Sequence, residues 1–104
     1  EPQVRAALYR PSMSRTYHWF PEKAEANVRK HGVSFEEAQT VPDSHFARWF
    51  EDEAHSVYEE RSLVIGPSTF GTLLVVVTSE GGPKPRIISA WRATKRERHE
   101  YESR

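Results

Sequence analysis

The chain has 104 residues, a formal net charge of zero, 37% apolar and 29% charged residues, and no cysteine. That length supports one compact domain around one small core, and the lack of cysteine excludes disulfides, thiolate catalysis and cysteine-ligated metal centres. A zero total argues against a general nucleic-acid coat, but the distribution is uneven: residues 43–60 set six acidic side chains against Arg48 alone, whereas residues 84–104 set seven basic ones against three glutamates.

Residues 1–16 carry Pro2 and Pro11 and no hydrophobic period. They are expected to be an extension, with Met13 the expected native start and the domain running over 17–104. Tyr17-His18-Trp19-Phe20 is a short aromatic run suited to a strand. Pro21 suits the first position of a helix, and Ala24, Asn27, Val28 and His31 repeat at helical spacing as far as Gly32, which predicts a helix over 21–31. Gly32 supplies a left-handed stop. Ser34 with Glu37 reads as a capping box and Val33 with Ala38 as a hydrophobic staple, predicting a shorter helix over 35–40 that Pro42 ends.

Beyond Pro42 the period changes to two. Phe46, Arg48 and Phe50 alternate with Ala47 and Trp49, an acidic loop follows, and Arg61-Ser62-Leu63-Val64-Ile65 runs into Gly66 and Pro67. Ser68 to Gly71 is a predicted hairpin turn into a strand over 72–78, and Glu80-Gly81-Gly82-Pro83 is the turn into a strand over 85–91. Strict alternation puts Arg86, Ile88, Ala90 and Arg92 on one face of that strand and Ile87, Ser89 and Trp91 on the other. Thr94 and Glu97 form a second capping box, predicting a terminal helix over 95–103. The fold class is α+β: a small antiparallel sheet with two N-terminal helices and one C-terminal helix packed on one face of it. No run approaches the roughly 20 apolar residues of a membrane span, so a cytoplasmic protein with no membrane contact is expected.

Five histidines, His18, His31, His45, His55 and His99, lack the three- or four-residue spacing that puts two imidazoles together on a helix. Gly81-Gly82 before Pro83 is turn chemistry rather than a phosphate-cradling loop. Neither metal nor cofactor is expected.

In this order the residues resemble the BrnT toxins of bacterial type II toxin–antitoxin systems, whose fold is similar to that of RelE ribonucleases. The resemblance rests on Trp19, Pro21-Glu22-Lys23-Ala24, Asn27 and Lys30-His31-Gly32-Val33-Ser34-Phe35-Glu36-Glu37-Ala38. It continues through Glu60-Arg61, Ile65-Gly66, Gly71, Leu74 to Val77, Arg86-Ile87-Ile88-Ser89-Ala90, and Ala93-Thr94 through Glu97 to Tyr101. It implies a metal-independent endoribonuclease that restrains translation. It also implies neutralisation by a BrnA-like antitoxin, with operator DNA contacted only indirectly, through the antitoxin. Three positions depart from the pattern: Phe20 stands where the family has Asp, Pro42 where it has Phe, and Trp91 where it has Arg.

Metal-free RNA cleavage needs a group that takes the 2′-OH proton, cations for the crowded phosphorane and an acid for the leaving 5′-oxygen. His31 is the natural acid or base, or else a cap on helix carbonyls. Arg61 and Arg86, on strands expected to lie near one another, are expected to hold phosphate as guanidinium forks, or alternatively to pair with Glu59, Glu60 or Glu80. Glu60 is a carboxylate base or an orienter of Arg61. Lys23, Lys30, Arg92, Lys95 and Arg96 are expected phosphate contacts, and Tyr101 a stacking surface, against the alternatives of a solvated face and a core aromatic. The rival reading is an antitoxin-binding module silenced in catalysis, with Trp91 filling the cleft. An exposed sheet edge suits a heteromeric complex with a dimer inside it.

Overall fold

The computed structural model describes residues 16–51, 60–80 and 83–103. The expected extension up to residue 15, the acidic loop over 52–59 and Gly81-Gly82 lie outside them.

The first helix, α1, spans Pro21–His31, as the period predicts, and ends on Gly32 at φ 71°, whose N–H donates to the Val28 carbonyl. A Cβ is strained at that angle, which is why glycine stands there. Phe20 occupies the N-cap without a side-chain hydrogen bond. The next helix, α2, is the single turn Phe35–Ala38, shorter than predicted. Ser34 accepts from the Glu37 N–H at 3.0 Å, but the Glu37 carboxylate accepts from the Ser68 hydroxyl at 2.7 Å. Half of the expected box is thus spent on tying α2 to a distant turn.

Four strands follow, β1 Arg48–Glu51, β2 Arg61–Pro67, β3 Leu73–Ser79 and β4 Arg86–Arg92, and α3 spans Lys95–Glu102. The strands form one antiparallel meander in the order β1-β2-β3-β4. The turn between β2 and β3 closes through the Gly71 N–H on the Ser68 carbonyl at 2.8 Å.

Val33, Phe35, Ala38 and Val41 pack with Tyr17 against Val64, Leu74, Val76, Ile87 and Ala90, all of them buried. Each large side chain so buried contributes roughly 1.5–3 kcal/mol. This face of the sheet carries α1 and α2, whereas α3 is held through Arg48 and Trp91, which belong to the opposite face. The expectation that all three helices share one face therefore fails for α3, which has no buried residue of its own.

The outer edge of β4 is sealed. The His18 N–H donates to the Pro85 carbonyl at 3.1 Å and the Ile87 N–H to the His18 carbonyl at 3.0 Å, a single parallel bridge rather than the strand expected over 17–20. Pro21 turns the chain into α1 too soon for more pairing. Farther along, Asn27 takes over: its amide donates to the Ala90 carbonyl and accepts from the Ala90 N–H, at 2.9 and 3.1 Å.

Candidate functional site

The geometry of the site turns on one extra residue. Ser79 pairs with Arg86 and Thr78 with Ile87, but Val77 pairs with Ser89, so Ile88 is a bulge. A bulge resets the alternation of side chains. Ile87 and Ala90 consequently share the core face, and Arg86 joins Ser89 and Trp91 on the other. The alternation expected from sequence is corrected upstream of the bulge and holds downstream of it, so Arg92 still points away from Trp91 and does not substitute for the family's Arg.

The reset produces a row. Arg61 pairs with Ser79 and Ser79 with Arg86, which places both arginines on one face, flanking Ser79, about 10 Å apart at Cα. Two guanidinium groups in such a row match the forked geometry that grips a phosphate. The Arg86 guanidinium also lies 5.5 Å over the Phe20 ring, which limits its freedom.

Carboxylates stand at the same end. Glu60 directly precedes β2, is exposed, and accepts the Glu80 N–H on its carbonyl at 3.3 Å. The Glu80 carboxylate accepts from the Thr78 hydroxyl at 2.7 Å and the Tyr17 hydroxyl at 3.3 Å. Sequence reading saw Glu80 only as a partner for arginine; Thr78 stands two residues before it on the same side of the chain, whereas the Tyr17 contact reaches across 63 residues and carried no local signal.

His31 lies elsewhere. Its ring centroid is 5.8 Å from that of Trp91, tilted by 43°. Trp91 pairs with Val75, four residues along β3 from Ser79 and so about 13 Å from the arginine row. The structure does not bring His31 to Arg61 and Arg86 as the sequence reading had it. Trp91 does not cover the arginine row either. Its indole N–H donates to both carboxylate oxygens of Glu97, at 3.1 and 3.3 Å, and the same carboxylate accepts the Thr94 N–H at 2.9 Å, completing the capping box of α3. That third member of the box was invisible in sequence.

The remaining candidates divide. Lys23 and Lys30 are exposed on α1, Arg92 ends β4, and Lys95 and Arg96 lie exposed in the first turn of α3. Tyr101 is committed to structure: its hydroxyl donates to the Phe46 carbonyl at 2.7 Å and its ring lies 5.5 Å under the Arg48 guanidinium. Among the described residues, no three His, Asp or Glu side chains gather as a metal site.

A small α+β domain with two arginines in one row on a face of an antiparallel meander is suited to holding a phosphate-bearing chain. The model of the ribonuclease toxin BrnT of type II toxin–antitoxin systems matches residues 19–97, and the chain belongs to that family. Its fold is similar to the crystal structure of the Brucella abortus ribonuclease toxin BrnT, with a TM-score of 0.59 and 20% identity, over 79% of this chain and all of that one. No curated protein matches the sequence.

Proposed function

We propose that this chain is itself an endoribonuclease, cutting RNA without a metal and so restraining translation in the cytoplasm, with Arg61 and Arg86 gripping the scissile phosphate. The observation that supports this most is the row Arg61–Ser79–Arg86, which exists because the bulge at Ile88 turns Arg86 to the face of Arg61. In the reaction the ribose 2′-oxygen attacks phosphorus as its proton leaves, and the bond to the 5′-oxygen breaks. The products are a 2′,3′-cyclic phosphate and a 5′-hydroxyl. Two guanidinium groups stabilise the charge that builds on the phosphorane oxygens. Exposed Glu60, next to Arg61, is the proton acceptor at that end, and water returns a proton to the leaving oxygen. Lys23, Lys30, Arg92, Lys95 and Arg96 serve as phosphate contacts along the strand.

Family toxins belong to two-component systems. For this chain the partner we propose is a BrnA-like antitoxin in a heteromeric complex containing a toxin dimer, reaching operator DNA only through the antitoxin. The second reading, a silenced interaction module, draws on Trp91 standing where the family has Arg. Inducing the wild type, Trp91→Arg and the Arg61→Ala/Arg86→Ala double variant in cells without antitoxin separates the two. Growth arrest with RNA cleavage by the wild type, abolished in the double variant, is the expected result. Arrest by Trp91→Arg alone, or by none of the three, supports the silenced module.

A further inference from the structure

We propose that Trp91, with His31 beside it, is a stacking site for an unpaired base of single-stranded RNA. This rests on the ribonuclease reading above and extends it along the sheet. Four observations carry it.

First, the indole is held in place: both oxygens of the Glu97 carboxylate accept its N–H, and Thr94 holds that carboxylate in turn. A ring already fixed loses little rotamer entropy when a ligand arrives. Second, neither ring belongs to the core cluster, and both remain partly open to solvent. Third, the two rings meet as a tilted wedge, centroids 5.8 Å apart and planes at 43°, rather than as a closed parallel stack. Fourth, the surroundings are cationic. Arg29 and Lys30 precede His31, Arg92 follows Trp91, Lys95 and Arg96 precede Glu97, and all five are exposed. An apolar protein partner has no reason to prefer a ring so surrounded, whereas a nucleotide presents both a π-face and a phosphate.

The position relative to the arginine row strengthens the assignment. Trp91 shares its face of the sheet with Arg61 and Arg86, about 13 Å away along β3. A few nucleotides of extended strand reach from a phosphate on the arginines to a base on the indole. Trp91 then holds the substrate in place of the guanidinium that the family pattern puts at this position.

The test uses the full chain and a fluorescein-labelled 2′-O-methyl hexaribonucleotide of mixed sequence, which has no 2′-OH and therefore binds without being cut. Dissociation constants come from anisotropy at low salt for the wild type, Trp91→Phe and Trp91→Leu. Both variants lose the N–H to Glu97, so any loosening of α3 is common to them, and only stacking separates them. Binding close to wild type for Trp91→Phe and roughly 5- to 100-fold weaker for Trp91→Leu is expected, the range that losing one stacked base produces. In a Trp49→Phe background the hexamer should also quench tryptophan emission, and Trp91→Leu should abolish the quenching. Equal affinities for Trp91→Phe and Trp91→Leu, or a folded wild type that does not bind the hexamer, would overturn the stacking site. Cleavage of unmodified RNA, followed in parallel, keeps the two readings apart. Cleavage with equal affinities defeats the stacking site alone, and stacking without cleavage defeats the ribonuclease reading alone.

Discussion

Asn27 fixes α1 to the sheet edge, and its removal gives the sharpest prediction about the fold. The side chain is only 6% exposed and makes four hydrogen bonds. Its amide donates to the carbonyls of Val33 and Ala90, both at 2.9 Å, and its oxygen accepts from the Ala90 N–H and the Ser89 hydroxyl, both at 3.1 Å. Asn27→Ala removes all four and leaves three backbone groups without this partner. At about 1 kcal/mol per bond the loss is about 4 kcal/mol, and alanine's better helix propensity returns about 0.5 kcal/mol. The expected net is about 3–4 kcal/mol, a large share of the 5–15 kcal/mol typical of a domain. Asn27→Asp should be at least as damaging at neutral pH, because it aims carboxylate oxygens at two carbonyls. Burial and those carbonyls raise its folded-state pKa above the unfolded value, so the deficit is greatest above the folded pKa and shrinks as pH falls below it. Urea unfolding followed by circular dichroism reads both effects as a shift in midpoint at constant slope. A loss below about 1 kcal/mol for Asn27→Ala would refute the account of the edge, since one ordinary hydrogen bond is worth that much.

Three further outcomes follow from local geometry. Phe20 caps α1 without a side-chain bond, so Phe20→Asp should stabilise the domain by about 1 kcal/mol in the same unfolding assay. A Cβ at Gly66 would lie 3.0 Å from the Ala47 Cα, so Gly66→Ala should cost roughly 1–3 kcal/mol, seen as a lower melting temperature. Because α3 buries no residue and is tied by Trp91 to Glu97 and by Tyr101 to Phe46, its amides should exchange faster than those of β3. Tyr101→Phe should speed that exchange further, by about 1 kcal/mol of opening energy.

Much of the framework was legible because it is written in local chemistry. Gly32 and Ser34 mark the corner between helices through backbone angle and capping, Thr94 and Glu97 start α3, and the turn between β2 and β3 falls at Gly71, whose φ is 82°. What escaped was set at longer range. The bulge at Ile88 leaves only a faint trace, two adjacent isoleucines where alternation calls for one, yet it decides which face Arg86 occupies. Asn27 looked like one more position on the inner stripe of α1, because nothing local shows that its partners lie 63 residues away at Ala90. Of the expected site residues, Arg61 and Arg86 come together through strand pairing. His31 goes instead to Trp91, because α1 runs along β4 and delivers its C-terminal turn to the far end of the sheet.

The central claim is that Arg61 and Arg86 together hold the phosphate that is cut. Its most direct test is a single-turnover assay with the purified protein, RNA and excess EDTA, comparing the wild type with Arg61→Ala and Arg86→Ala. Cleavage to 2′,3′-cyclic phosphate ends in EDTA is expected, slowed roughly 100- to 1,000-fold by either substitution, as when one donor to a developing oxyanion is lost. Wild-type rates in both variants would contradict the account and move the chemistry away from this row.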